Sequence, residues 1–88
     1  MRFNLGQIVM TRAISETVDR DKLLGLLTRY KNCDWGDLEK SDKKLNDSAI
    51  KNNDDRILAK YDIGEDEPIY IITEWDRSVT TIMFTSEY

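Results

Sequence analysis

The chain has 88 residues and a net charge of −4, with 40% apolar and 34% charged side chains, no histidine and one cysteine. That length is one domain, residues 1–88, whose core buries only about 60% of the surface the unfolded chain exposes; mixed charge signs and aromatics mark it as folded. No apolar run reaches the roughly 18 residues of a membrane span, MRFNLGQIVM lacks a signal-peptide core, and one cysteine forms no internal disulfide, so a cytoplasmic protein is expected.

Residues 3–11, FNLGQIVMT, read as a strand with Phe3, Leu5 and Val9 on one face and Ile8 and Met10 on the other. Gly6 marks a bulge or a close backbone approach. Thr11 is placed to cap a short helix over 12–18. The clearest helix is 19–31, DRDKLLGLLTRYK, capped by Asp19. Leu23, Leu27 and Tyr30 recur at helical spacing there, Leu24 and Leu26 widen the stripe, and Arg29 and Lys31 suit the C-terminal dipole. Gly25 costs that helix about 1 kcal/mol against alanine, so another element is expected to approach it closely. Leu38, Leu45 and Ala49 then predict a helix from 38 or 41 to 52, capped by Asp37 or Ser41. Asn52-Asn53-Asp54-Asp55 ends it, short polar residues that tolerate left-handed backbone. Residues 56–62, 69–75 and 79–84 read as strands, with turns at GEDEP and at Asp76-Arg77-Ser78. The fold class is α+β: a small antiparallel sheet, built from a C-terminal three-strand meander plus the N-terminal strand, covered by two or three helices.

Charge is unevenly spread. Residues 1–33 carry a balance of +3, and residues 62–76 carry −6 with no positive group. The acidic segment repels nucleic acid and suits a basic protein surface, or simply a solvated loop. The lysines around residues 40–51 interleave with Glu39, Asp42 and Asp47, so no basic stripe forms.

Two polar stretches stand out. In Asp34-Trp35-Gly36-Asp37, the tryptophan is a favoured binding anchor and the carboxylates suit an arginine. The structural alternative makes Asp37 a helix cap, Gly36 a permissive turn and Trp35 part of the core. In Thr73-Glu74-Trp75-Asp76-Arg77-Ser78, strand alternation places Glu74 with Tyr70 and Ile72. If that face is the core face, Glu74 needs a cationic partner, and Arg56 and Arg77 are the candidates. Asp34, Asp37 and Glu74 together define the alternative of a carboxylate metal or acid–base site. Without histidine the commonest general base is missing, and Cys33 alone does not suit zinc. No catalytic residue, metal or cofactor is assigned.

The segments GQIVMT, DWGDLEKSDKKLND, RILAKY and IYIITEWDRSVTTIMFTSEY, in this order over most of the chain, resemble a family of small bacterial plasmid-related proteins carried on mobile elements. The family pattern runs close to G-Q-I-V-A-T, G-D-W-G-D-L, a helix with L-N, R-x-L-S-A-Y, and I-I-T-E-A-D-R-S-x-T-T-I-L. Asn32-Cys33, Lys60 and Trp75 depart from it. The family has no established activity, so the resemblance implies a fold and a genomic setting, not a reaction. The resulting expectation is a non-enzymatic protein-interaction or regulatory module, with an anti-CRISPR-type inhibitor or acidic nucleic-acid mimic as one version. Its expected partner is a protein, with neither membrane nor nucleic acid. Its candidate residues are Asp34, Trp35, Gly36, Asp37, Glu74, Trp75, Asp76 and Arg77. A small metal-dependent hydrolase or nuclease, and nucleic-acid binding through the basic N-terminal third, stay open as alternatives.

Overall fold

A four-stranded mixed sheet carries three helices in a computed structural model that describes residues 3–64 and 67–88. The elements are β1 (Gln7–Met10), α1 (Arg12–Thr17), α2 (Arg20–Lys31), α3 (Lys40–Asn52), β2 (Ile57–Tyr61), β3 (Ile69–Thr73) and β4 (Val79–Phe84), then a 3-10 turn (Thr85–Glu87). The α+β class is as expected. The strand order is β1-β4-β3-β2, and the C-terminal meander forms as predicted. The sheet is not wholly antiparallel, because β1 runs parallel to β4. All three helices lie between β1 and the meander, and a crossover of that length permits parallel pairing.

Alternation along the meander sets the core. Ile57, Ala59 and Tyr61 of β2, Ile69, Ile71 and Thr73 of β3, and Thr80, Ile82 and Phe84 of β4 are all buried. Ala59, Ile71 and Ile82 lie in cross-strand register at its centre. Thr11 caps α1 as expected, its hydroxyl accepting the Ile14 N–H. Residues 3–6 do not extend β1. Gly6 has φ +63°, and a Cβ there would lie 2.2 Å from the Ser78 carbonyl oxygen, so the close-approach reading holds. That bend turns Phe3 onto the core, with its ring 5.4 Å from Tyr30, and so it does not share a strand face with Val9.

The expected helix stripes hold in large part, with Leu27 and Leu38 packed against the core, but Leu24 and Leu45 leave them. In α2, Leu23, Leu26 and Tyr30 are buried, whereas Leu24 is 51% exposed. Gly25 has nothing within 4 Å of a built Cβ, so no element among the described residues exploits it. In α3 the N-cap position is Glu39, not Asp37 or Ser41, and Leu45 is 64% exposed while Asn46 and Ala49 are buried. The expected end is correct: Asn53 and Asp55 adopt φ +52° and +44°. β3 stops at Thr73, so Glu74 and Trp75 belong to a turn over 74–78. Glu65 and Asp66 of the expected GEDEP turn lie outside the described residues.

A buried hydroxyl chain ties the layers together. Thr80 Oγ1 donates to the Leu5 carbonyl at 2.6 Å. Its proton is thereby used, so Thr73 Oγ1 donates to Thr80 (2.7 Å) and the Tyr30 hydroxyl donates to Thr73 (2.7 Å). One direction of donation therefore runs from α2 through β3 and β4 to the N-terminal segment. Burial also pushes the Tyr30 hydroxyl well above the ordinary tyrosine range, since a phenolate there is poorly solvated.

Candidate functional site

The loop after α2 is a clamp on the sheet edge. Cys33, at φ +60°, turns the chain out of the helix. Asp34 then faces back: its carboxylate takes Arg29 Nε at 2.7 Å and Arg29 Nη2 at 3.4 Å, and also accepts the Gly36 N–H. Arg29 lies over the Tyr61 ring, 4.8 Å from its centroid, and the Tyr61 hydroxyl donates to the Asp34 carbonyl. The Arg29 hydrogen bond, reinforced by Gly36 N–H, holds the Asp34 carboxyl below the usual carboxylate range against a smaller opposing effect of burial.

Trp35 faces the core at 3% exposure, its ring against Phe3 and Tyr30, and its Nε1 donates to Asp47 Oδ1. Gly36 lies against β2 in a parallel bridge to Lys60. With φ +73° and only 2.1 Å between a built Cβ and the Lys60 carbonyl oxygen, no other residue fits there without moving the loop. The Lys60 N–H donates to the Trp35 carbonyl, and the Lys60 carbonyl accepts the Asp37 N–H at 2.7 Å. Asp37 does not cap a helix; its Oδ2 accepts the Asp62 N–H.

Two positions earlier on β2, Asn46 of α3 performs the same task. Its side-chain amide receives the Leu58 N–H at 3.0 Å and donates to the Leu58 carbonyl at 2.7 Å. The outward backbone groups of Leu58 and Lys60 and the N–H of Asp62 are thus all occupied. This matters because an open edge strand is a template for unwanted pairing. Asn46 was not among the predicted site residues. The available signal was a polar residue in the register of Ala49 and Ile50, where burial demands a specific partner.

The 74–78 turn is held by Arg77. At φ +61°, it directs its guanidinium to five backbone carbonyls: Glu74, Trp75, Ala49, Asp54 and Asp55. The last three belong to the end of α3 and its exit, so one cation satisfies a helix C-terminus and a hairpin turn together. The predicted buried Glu74–arginine pair does not form. Glu74 is exposed, and the turn begins before strand alternation carries it inward. Asp76 accepts the Ser78 N–H (3.1 Å) and hydroxyl (2.6 Å), which hold its carboxyl below the usual range. Trp75 stands in solvent at 66% exposure.

The two stretches do not converge. Asp34–Asp37 attaches at Lys60–Asp62, at one end of β2, and Arg77 attaches at Asp54–Asp55, beyond the other. At about 3.3 Å per residue, β2 holds them roughly 15 Å apart. The described acidic residues divide in the same way, with β3 lying between Asp62 and Glu67 on one side and Glu74 and Asp76 on the other. Glu67 is itself engaged, accepting the Ser86 N–H and hydroxyl. Among the described residues no three acidic, thiol or imidazole groups converge to hold a metal ion. No helix among them is long and apolar enough to cross a membrane. These features define a small α+β domain with one clamped sheet edge and an exposed aromatic turn. No protein-family model matches the chain, and no curated protein or solved structure shows significant similarity to it.

Proposed function

We propose that this domain is a non-enzymatic protein-interaction module whose recognition element is Trp75. The observation that carries this reading is an exposed tryptophan on a turn whose backbone is tied at every side. Arg77 fixes the carbonyls of Glu74 and Trp75, and Asp76 fixes Ser78. A rigid aromatic anchor binds without the ordering cost of a mobile loop. Glu74 and Asp76 flank it, exposed, so the complementary surface is an apolar pocket with a basic rim. A host defence or replication protein carrying such a surface is the version of this proposal that the sequence resemblance suggests. The carboxylate-enzyme reading has less support, because Asp34 and Asp37 are spent on the loop and Glu74 stands at the far end of β2.

Affinity capture from host-cell lysate with the parent and W75A, followed by titration of the purified captured protein, tests the proposal. A central anchor contributes about 2 kcal/mol or more, so W75A should weaken binding at least thirtyfold. Equal affinity for parent and W75A, or no protein captured above background by the parent, defeats it.

A further inference from the structure

The two edges of the sheet are treated in opposite ways. On β2, Asn46, Trp35 and Asp37 occupy the outward backbone groups. On β1, nothing among the described residues does. The Gln7 N–H donates to Ser78 and the Thr11 N–H to Ile82, so residues 7, 9 and 11 turn their backbones towards β4. In a parallel pair the intervening residues face away, which leaves the N–H and C=O of Ile8 and Met10 directed outward. The devices that discourage edge pairing are absent too: FNLGQIVMT contains no charge and no proline. Ile8 and Met10 are 42% and 44% exposed.

We propose that β1 is a self-pairing edge, at which two copies of this chain join antiparallel about a two-fold axis between their Val9 residues. In that register Ile8 of one copy meets Met10 of the other, twice. Both residues turn their backbone groups outward, so each pair exchanges two hydrogen bonds, and the side chains that meet are apolar. A second copy fits better than an unrelated strand because the ends of the edge are complementary to each other. Lys31 lines the groove beside Leu5 and Ile8 at one end. At the other, the Glu87 carboxylate accepts the Thr11 hydroxyl. An antiparallel two-fold sets each cationic end against the other copy's acidic end. The paired strand is short, well under the about 800 Å² per partner of a standard interface, so the association is weak and concentration-dependent.

Sedimentation or light scattering of the full chain from about 10 µM to about 1 mM should show the mass rising from 10.3 kDa towards twice that value. Amide exchange at Ile8 and Met10 should slow with the same concentration dependence. I8E/M10E sets like charges face to face and should stay monomeric. I8K/M10E sets each introduced ammonium against an introduced carboxylate of the other copy and should dimerise again. A monomer across the whole range overturns the proposal. So does a dimer in which the Ile8 and Met10 amides exchange as fast as in the monomer, or equal association of the two double variants. Should either variant fail to fold, exchange in the parent chain decides alone.

Discussion

Replacing Asn46 by aspartate exchanges one NH2 group for an oxygen and should make stability depend on pH. Asn46 is buried, and its amide both receives the Leu58 N–H and donates to the Leu58 carbonyl. An ionised carboxylate keeps the first contact and turns the second into oxygen against oxygen. The lost hydrogen bond costs about 1 kcal/mol, and the unsatisfied carbonyl with a dehydrated carboxylate roughly 1–3 kcal/mol more. That total lowers Tm by about 10–30 °C in a domain of this size. Protonation restores a donor, since a carboxylic acid presents one O–H and one C=O much as an amide presents N–H and C=O. The folded state therefore favours the protonated acid and raises its pKa above the ordinary value of about 3.9. Stability relative to the parent should be recovered below about pH 4 and lost as pH rises through the raised value. Thermal unfolding by circular dichroism at about pH 3.5 and about pH 7, with parent and N46A alongside, reads this directly. N46A loses both contacts and should show the same deficit at both pH values. The edge-clamp reasoning fails if N46D melts within a few degrees of the parent at neutral pH, or if its deficit is independent of pH.

The two glycines at opposite extremes make a paired test by denaturant titration. G36A should cost at least about 2 kcal/mol, because its Cβ meets the Lys60 carbonyl at a positive φ, whereas G25A should stabilise by about 0.5–1 kcal/mol, with only solvent around it. The two tryptophans divide likewise: W35A should cost about 3–5 kcal/mol, and W75A should stay within about 0.5 kcal/mol of the parent. Alkali should unfold the protein. Burial pushes the Tyr30 and Tyr61 hydroxyls up, and for Tyr61 the nearby Asp34 charge adds to this. The unfolded chain ionises near pH 10 while the folded one resists, so this stability is present below about pH 10 and lost above it. In a Y70F/Y88F background, where Tyr30 and Tyr61 are the only tyrosines, tyrosinate absorbance and circular dichroism should then change together, and ionisation with the dichroism intact would contradict the burial argument.

Local chemistry was legible in the sequence at several positions where a residue acts on its own neighbours, though not at the start of α3, where Glu39 stands at the N-cap in place of Asp37 or Ser41. Thr11 caps the next turn, Asn53 and Asp55 accept left-handed backbone, and the meander alternates with period two. What was not legible depends on distant partners. Spacing shows that a helix has an apolar stripe, but the layer beneath fixes where that stripe is centred. Tyr30 must reach Thr73, and this rotates α2 so that Leu26 is buried and Leu24 is not. Glu74 was misplaced because alternation was carried past Thr73, into a turn where Arg77 reverses the sign of φ. The direction of β1 depends on which side of the meander it joins, and no local pattern encodes that.

Apart from exposed Glu74, the polar residues that look catalytic share one property: each satisfies a backbone group that the small core leaves exposed. A strand edge or helix end requires a carboxylate acceptor, a two-sided amide or a guanidinium, the same groups an active site would use on a substrate. Polarity and spacing alone therefore cannot separate the two roles, but occupancy can. Asp34, Asp37, Asn46, Asp76 and Arg77 all direct their polar atoms to the chain itself. Trp35 directs its N–H to Asp47. Trp75 breaks the pattern, since its neighbours are tied and its side chain is in solvent at 66% exposure. A large aromatic placed there does not stabilise the fold through burial and adds apolar surface to the exterior. Under the interaction proposal an outside partner covers that ring, and the contrast between W75A and W35A separates a recognition role from a folding one.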